Sequence, residues 1–220
     1  RRPHATRPEH AAMSGAAAPR PGRPRSSAAD AAILDAALDL LIERGVEDTS
    51  VEQVAKRAGV TRATVYRRHP DKTRMLVAAI TRAQGDPDDL PECEGAEQLL
   101  SYWAQALADP RLRLLTLRLM TAVHDHPELG RAYTAANIER RNAWIRAALE
   151  REQARGAFPE DTDLDVVQRI LTGAVADHLT THPGPAPAEE IERLLLDVLR
   201  QTGYRSRTCP PPSPPRVWSR

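Results

Sequence analysis

Between Lys56 and Arg74 the chain places seven cations, Lys56, Arg57, Arg62, Arg67, Arg68, Lys72 and Arg74, against one acid, Asp71. Such density on a short segment suits a polyanion, and nucleic acid offers phosphates and base edges that Arg and Lys both serve. A charge run can also simply solvate a helix, so the local fold must separate the two readings. Other chemistry is thinner. His124, Asp125 and His126 are neighbours, and His178 and His182 lie four apart, the spacing of two metal ligands on one helical face. However, His126-Pro127 reads as a helix start, and Pro183 frays the turn that would align His182. Cys93 and Cys209 have no ligand spacing around them, and no phosphate-cradling glycine loop, serine elbow or paired-histidine zinc motif occurs. A helical enzyme or metal protein is the lesser reading, and no catalytic residue, metal or cofactor is expected.

The cations need a scaffold, and the residues around them supply one. Ser50 is an N-cap type, and Val51, Val54, Ala55 and Ala58 follow at the i, i+3, i+4, i+7 spacing of one apolar helical face. Gly59 stops that helix where a left-handed backbone is wanted, Val60 closes the corner, and Thr61 can N-cap a second helix to about Arg68. The product is a helix-turn-helix. A preceding helix over Asp30–Arg44 puts Ile33, Ala37, Leu40 and Leu41 on one face and ends at Gly45. After His69-Pro70, a fourth helix runs from Asp71 to Gln84 with Met75, Leu76, Ala79 and Ile80 inward.

Residues 31–76 resemble the DNA-binding domain of the tetracycline-repressor (TetR) family of transcription regulators. The likeness rests on Ala36, Leu40, Gly45, Val51, Val54, Ala55, Ala58-Gly59-Val60, Thr64-Val65-Tyr66, Pro70 and Lys72. One position departs from the family pattern: His69 stands where a large apolar ring is usual, and it is either a half-buried residue that fills much of the space and bonds a nearby carbonyl, the favoured reading, or a weak spot. The resemblance implies that Arg62, Ala63 and Tyr66 face the major groove. Arg62 would bond a guanine edge twice, while Ala63 and the Tyr66 ring would touch thymine methyls. It assigns phosphate to Ser50, Thr61, Thr64, the Tyr66 hydroxyl, Arg67, Arg68 and Lys72, the last aided by a helix N-terminus. Val65 should point inward. Glu52 either accepts from cytosine or is solvated. The fourth helix would join this reading head to the body and carry a signal between them.

Composition agrees with an all-α chain, since Ala, Leu and Arg abound while only one Phe, four Tyr and three Trp occur among 220 residues. The net charge of +1 hides a basic front and an acidic back: residues 1–85 hold 15 Lys and Arg against 9 Asp and Glu, residues 86–220 hold 16 against 21. Residues 1–25 read as a disordered basic arm, with Met13 the expected start. Arg23 and Arg25 in it would either enter a minor groove or belong to a plain flexible tail. Residues 26–85 form the reading head with its connecting helix, 86–203 the body, and 204–220 a Pro-rich disordered tail. With no signal peptide and no run long enough to span a bilayer, the cytoplasm is the expected compartment and no membrane is involved.

The body is expected as five helical segments, near 96–108, 111–124, 127–153, 163–181 and 188–202, giving about nine helices in all. The second, apolar on most sides, should run through the middle. Trp103, Met120, His124, Tyr133 and Trp144 are offered as lining a ligand cavity beside it, although each also fits ordinary core. The last two segments carry wide apolar stripes, including Leu171 and Val175, then Ile191, Leu194, Leu195 and Val198. TetR-like chains use this pair for a four-helix interface, so a homodimer on a palindromic operator in double-stranded DNA follows from the resemblance. The functional expectation is a repressor released by a small-molecule effector. A DNA-binding or architectural protein without ligand response stands as the alternative.

Overall fold

The computed structural model describes residues 24–182 and 184–206. Among the described residues there are nine helices and no strand. The first four are α1 (Pro24–Arg44), α2 (Val51–Arg57), α3 (Arg62–Arg68) and α4 (Lys72–Gln84). Then come α5 (Ala96–Ala108), α6 (Pro110–Asp125), α7, α8 (Leu164–Thr181) and α9 (Ala188–Gln201). Helix α7 is continuous through Pro127–Tyr133 and Glu139–Ala154, with a π-helical turn, Thr134–Ile138, between.

The head is built as its apolar spacing requires. Ile33, Ala37, Leu40 and Leu41 of α1 are buried against Val54, Ala55 and Val65 of the helix-turn-helix and against Met75, Leu76 and Ile80 of α4. Gly45 ends α1 with φ 83°, a backbone value that only glycine takes without strain, and buried Thr49 donates its hydroxyl to the Gly45 carbonyl at 2.7 Å.

Two ends differ from expectation. Helix α1 starts at Pro24, a residue that fits a first turn because it has no N–H to leave unpaired, so Arg25 lies on a helix and not on an extended arm. Arg23 lies outside the described residues, as does Cys209. At the other end Tyr204, assigned to the tail, is buried against Phe158 with ring centroids 5.2 Å apart, and the Arg205 amide donates to the Ala157 carbonyl. An aromatic with that much apolar surface gains more from packing than the chain loses in ordering two more residues.

The packing does not divide where the chain does. The head's core continues into the body through Leu115, Leu119 and Ala122 of α6 and Leu129 and Tyr133 of α7, while a second core gathers α5, α8, α9 and the C-terminal part of α7 around Leu99, Leu149, Leu171 and Leu195. Helix α6 is therefore no central rod. It buries one side, exposes Leu114 and Met120, and packs on α1, α5, α7 and α8 as a layer between head and body. An Arg111–Asp39 ion pair and a bond from Arg118 Nε to the Ile42 carbonyl tie it to α1.

Candidate functional site

Helices α2 and α3 are placed by their caps. Ser50 Oγ accepts from the Gln53 amide at 3.2 Å while Gln53 Oε1 accepts from the Ser50 amide at 3.0 Å, a reciprocal box that satisfies two otherwise unpaired donors. Gly59 turns the chain at φ 67°, and Thr61 Oγ1 accepts from the Thr64 amide to start α3. Val65 is fully buried, which fixes the roll of α3 about its axis. The opposite side, carrying Arg62, Ala63, Tyr66 and Arg67, faces out, with Tyr66 45% exposed.

Not every cation stands on that face. Arg62 pairs with Glu52 across the motif at 2.5 Å. The Glu52 carboxyl is held below its ordinary value by its own backbone amide first, then by Ser50 and Arg62, so it is an anion at neutral pH. Arg57 makes a two-pronged bond to Glu43 at 2.8 Å on each arm. Arg68, expected at phosphate, points back towards α1, where its side chain is 19% exposed and its guanidinium lies 3.9 Å from Asp30. The same carboxylate lies 3.1 Å from His69 Nε2, which accounts for an imidazole in place of an apolar ring: the ring fills the space and its polar edge has a partner. Lys72 opens α4 beside its N-cap Asp71, at the positive end of the helix. The hydroxyls of Ser50, Thr61 and Thr64 all lie at helix starts, where their oxygens accept from the chain or each other. The partners Glu52, Glu43 and Asp30 were invisible to spacing, because each ion pair joins different helices.

Behind the head lies a cavity of about 200 Å³. Tyr102, Trp103 and Leu107 of α5, Leu112 of α6 and Val175 of α8 form its apolar walls, and Gln84, Tyr133 and Arg141 its polar end. Of the five residues offered as lining a ligand cavity, Trp103 and Tyr133 lie on this one. Three others do not. Met120 and His124 are exposed on the outer side of α6, and Trp144 sits behind Tyr102, edge-on at 5.3 Å, with its Nε1 donating to the Pro91 carbonyl at 2.7 Å. Helical phase explains the first two: Leu112 and Thr116 share the cavity side, and four further residues rotate Met120 out of it.

The apolar stripes of α8 and α9 divide in the same way. Leu171, Ile191 and Leu195 are buried in the body's own core and so are not free for a partner, while half-buried Val175 lines the cavity. Left outward are Val166, Ile170 and Leu194, at 49%, 42% and 38% exposure, with half-buried Val198 beside them. The rings of His178 and His182 stack at 5.2 Å, next to the buried Arg113, whose guanidinium donates to both their carbonyls. A cation there opposes a second cation. Among the described residues no group of three or more His, Cys, Asp or Glu is placed to hold a metal ion, and no helix is long and apolar enough to cross a membrane.

Residues 33–79 match the family described as Bacterial regulatory proteins, tetR family, and residues 95–198 match the Tetracyclin repressor-like, C-terminal domain. The HTH-type transcriptional regulator YdeS of Bacillus subtilis (strain 168) is 27% identical over 161 residues, spanning 70% of this chain and 79% of its own. AqdR of Rhodococcus erythropolis, another HTH-type transcriptional regulator, is 27% identical over 189 residues, 80% of this chain and 87% of its own. The fold is similar to that of NalD, the secondary repressor of the MexAB-OprM multidrug efflux pump in Pseudomonas aeruginosa, with a TM-score of 0.64 and 22% identity over 80% of this chain and 97% of that one. A helix-turn-helix with its outer side cationic, set on a helical body and matched in both halves, places the protein: the chain belongs to the TetR family of DNA-binding transcriptional regulators.

Proposed function

We propose that the chain acts as a homodimeric repressor, holding two reading heads on a palindromic operator and leaving it when a small molecule occupies the body. The observation that carries this is the outward side of α3, where Arg62, Ala63, Tyr66 and Arg67 stand free of the core while Val65 locks the helix beneath them. Arg62 reads guanine, Ala63 and the Tyr66 ring meet thymine methyls, and Ser50, Thr61, Thr64, Arg67 and Lys72 grip phosphate. Arg68 is withdrawn from that list, since it faces Asp30.

A second copy covers the outward apolar strip of Val166, Ile170, Leu194 and Val198, because two-fold symmetry lets one strip meet itself. Half-sites then fall about one helical turn apart or somewhat more, roughly 34 to 36 Å. Occupying the operator excludes other proteins from it, which is the simplest route to repression. The cavity supports an effector, whose influence comes only from binding one head spacing better than another.

The experiment is selection from a randomised DNA pool with the purified chain, followed by salt-dependent binding of the selected site. One palindromic motif is the expected result. Arg62→Ala should cost about 1–3 kcal/mol on that motif and relax one position, whereas Lys72→Ala should weaken all sequences alike and flatten the salt dependence. Weak, motif-free binding would remove the sequence-specific reading, and equal losses for Arg62→Ala on selected and random DNA would remove Arg62 as a reader.

A further inference from the structure

Helix α7 offers the connecting helix three polar side chains in a row. Tyr133 donates its hydroxyl to Gln84 Oε1 at 2.9 Å, Asn137 and Thr81 exchange side-chain bonds at 3.0 and 3.1 Å, and Arg141 Nη2 donates to the Gln84 and Gly85 carbonyls at 3.0 and 2.7 Å. These residues are spaced by four, and a regular α-helix would swing each about 40° past the last. The π-turn Thr134–Ile138 widens the coil between them, so that all three meet the last turn of α4.

Two of the three also form the polar end of the cavity, together with Gln84. The donors there are not all used. Arg141 Nε is buried with no partner, and Gln84, whose Oε1 is taken by the Tyr133 hydroxyl, has its NH2 without a bond among the described residues. Burial first, against smaller opposing effects of Gln84 and Arg141, raises the Tyr133 phenol above its ordinary value, so it stays a neutral donor and keeps the amide oriented that way. Among the described residues no Asp or Glu lines the cavity, and the Arg141 guanidinium donates to the carbonyls that end α4. The remaining wall is aromatic and aliphatic. Thr116 and Thr172 add little polarity, because their hydroxyls donate to their own helices.

We infer that the cavity takes a compact, largely apolar molecule bearing a carboxylate, whose oxygens meet the Arg141 guanidinium and the Gln84 amide, and that it rejects amines. This rests on the proposed function above. A volume near 200 Å³ suits one ring with a short acidic chain. A charge-assisted bond to a half-buried guanidinium is the strongest contact such a site can make, whereas a cation would meet the like charge of Arg141 and only neutral hydroxyl acceptors. The carboxylate would draw on the guanidinium that holds the C-terminus of α4, so ligand class and coupling to the head are set by one side chain.

The test uses the purified full chain with 4-phenylbutyrate, 4-phenylbutanamide and 4-phenylbutylamine, read by quenching of the indole fluorescence to which Trp103 contributes and by the unfolding midpoint. The carboxylate should bind at least about tenfold more tightly than the amine, the margin of one charge-assisted bond. Arg141→Met should abolish that preference while leaving the amide within a few-fold. Should that variant fail to fold, Gln84→Leu should lower carboxylate affinity by a smaller factor, and Val175→Trp should lower all three. Equal or tighter binding of the amine, a preference that survives Arg141→Met, or no saturable carboxylate binding would overturn the inference. Carboxylate selectivity in a chain that selects no DNA motif would keep the ligand class and end the regulator reading. A palindromic motif without carboxylate selectivity would do the reverse.

Discussion

Arg62 Nη2 lies 2.5 Å from Glu52 Oε1, so the residue best suited to a guanine edge is paired with the first helix of its own motif. DNA has to replace that carboxylate. Exposed pairs of this kind are weak, and the larger effect of Glu52 on DNA is its charge beside the phosphates. Glu52→Gln should therefore raise affinity by a few-fold on specific and random DNA alike, most at low salt. Fluorescence anisotropy across a salt series checks this, and a gain confined to one sequence would instead make Glu52 a base reader.

His69 and Asp30 join the end of α3 to α1, with the imidazole nearly enclosed at 11% exposure. His69→Ala removes both the volume and the bond, at a cost of about 1–3 kcal/mol to the head. His69→Phe should recover part of it, because a ring refills the space while Asp30, itself 39% exposed, turns to water. Thermal unfolding of the two variants ranks volume against hydrogen bonding at this site.

Gly130 on α7 sits under the backbone of α6: a Cβ there would lie 2.7 Å from the Val123 carbonyl oxygen. Backbone cannot swing aside as a long side chain can. Gly130→Ala should push α6 and α7 apart and destabilise the chain by roughly 1–3 kcal/mol. Since α6 also ties to α1 through Arg111 and Arg118, DNA affinity should change with it. An unfolding midpoint equal to wild type would show that the two helices are not in close register.

His178 provides a pH dependence. Burial, then the Arg113 cation and His182, lower its imidazole below the ordinary value, against weaker opposite pulls from Glu190 and Asp177. The unfolded chain then binds more protons than the folded one just below about pH 6.5. Stability should be full above that pH and fall as pH drops through it towards the lowered folded value. Denaturant midpoints from pH 8 to 5 should show the decline, and His178→Asn should flatten it.

The head was legible because its determinants are local. Ser50 with Gln53, Gly59 at its positive φ, Thr61 and the apolar spacing of Val51, Val54 and Ala55 each act within one turn or cap. Periodicity also located the body helices, since prolines and apolar stripes mark their ends and faces.

What tertiary structure alone decided was the phase and partner of each side chain. A stripe wide enough for two neighbours does not say which residue meets which, so Leu171 and Leu195 went to the protomer's own core while Val166 and Ile170 were left outside. Arg68 turned to Asp30 because tertiary packing brings that residue of α1 beside the end of α3, a neighbourhood that spacing within either helix does not encode. Most of all, the π-turn in α7 leaves no mark in periodicity. Its one extra residue aligns Tyr133, Asn137 and Arg141 on α4, and that register exists only where two packed helices exchange bonds across a gap of some fifty residues in sequence.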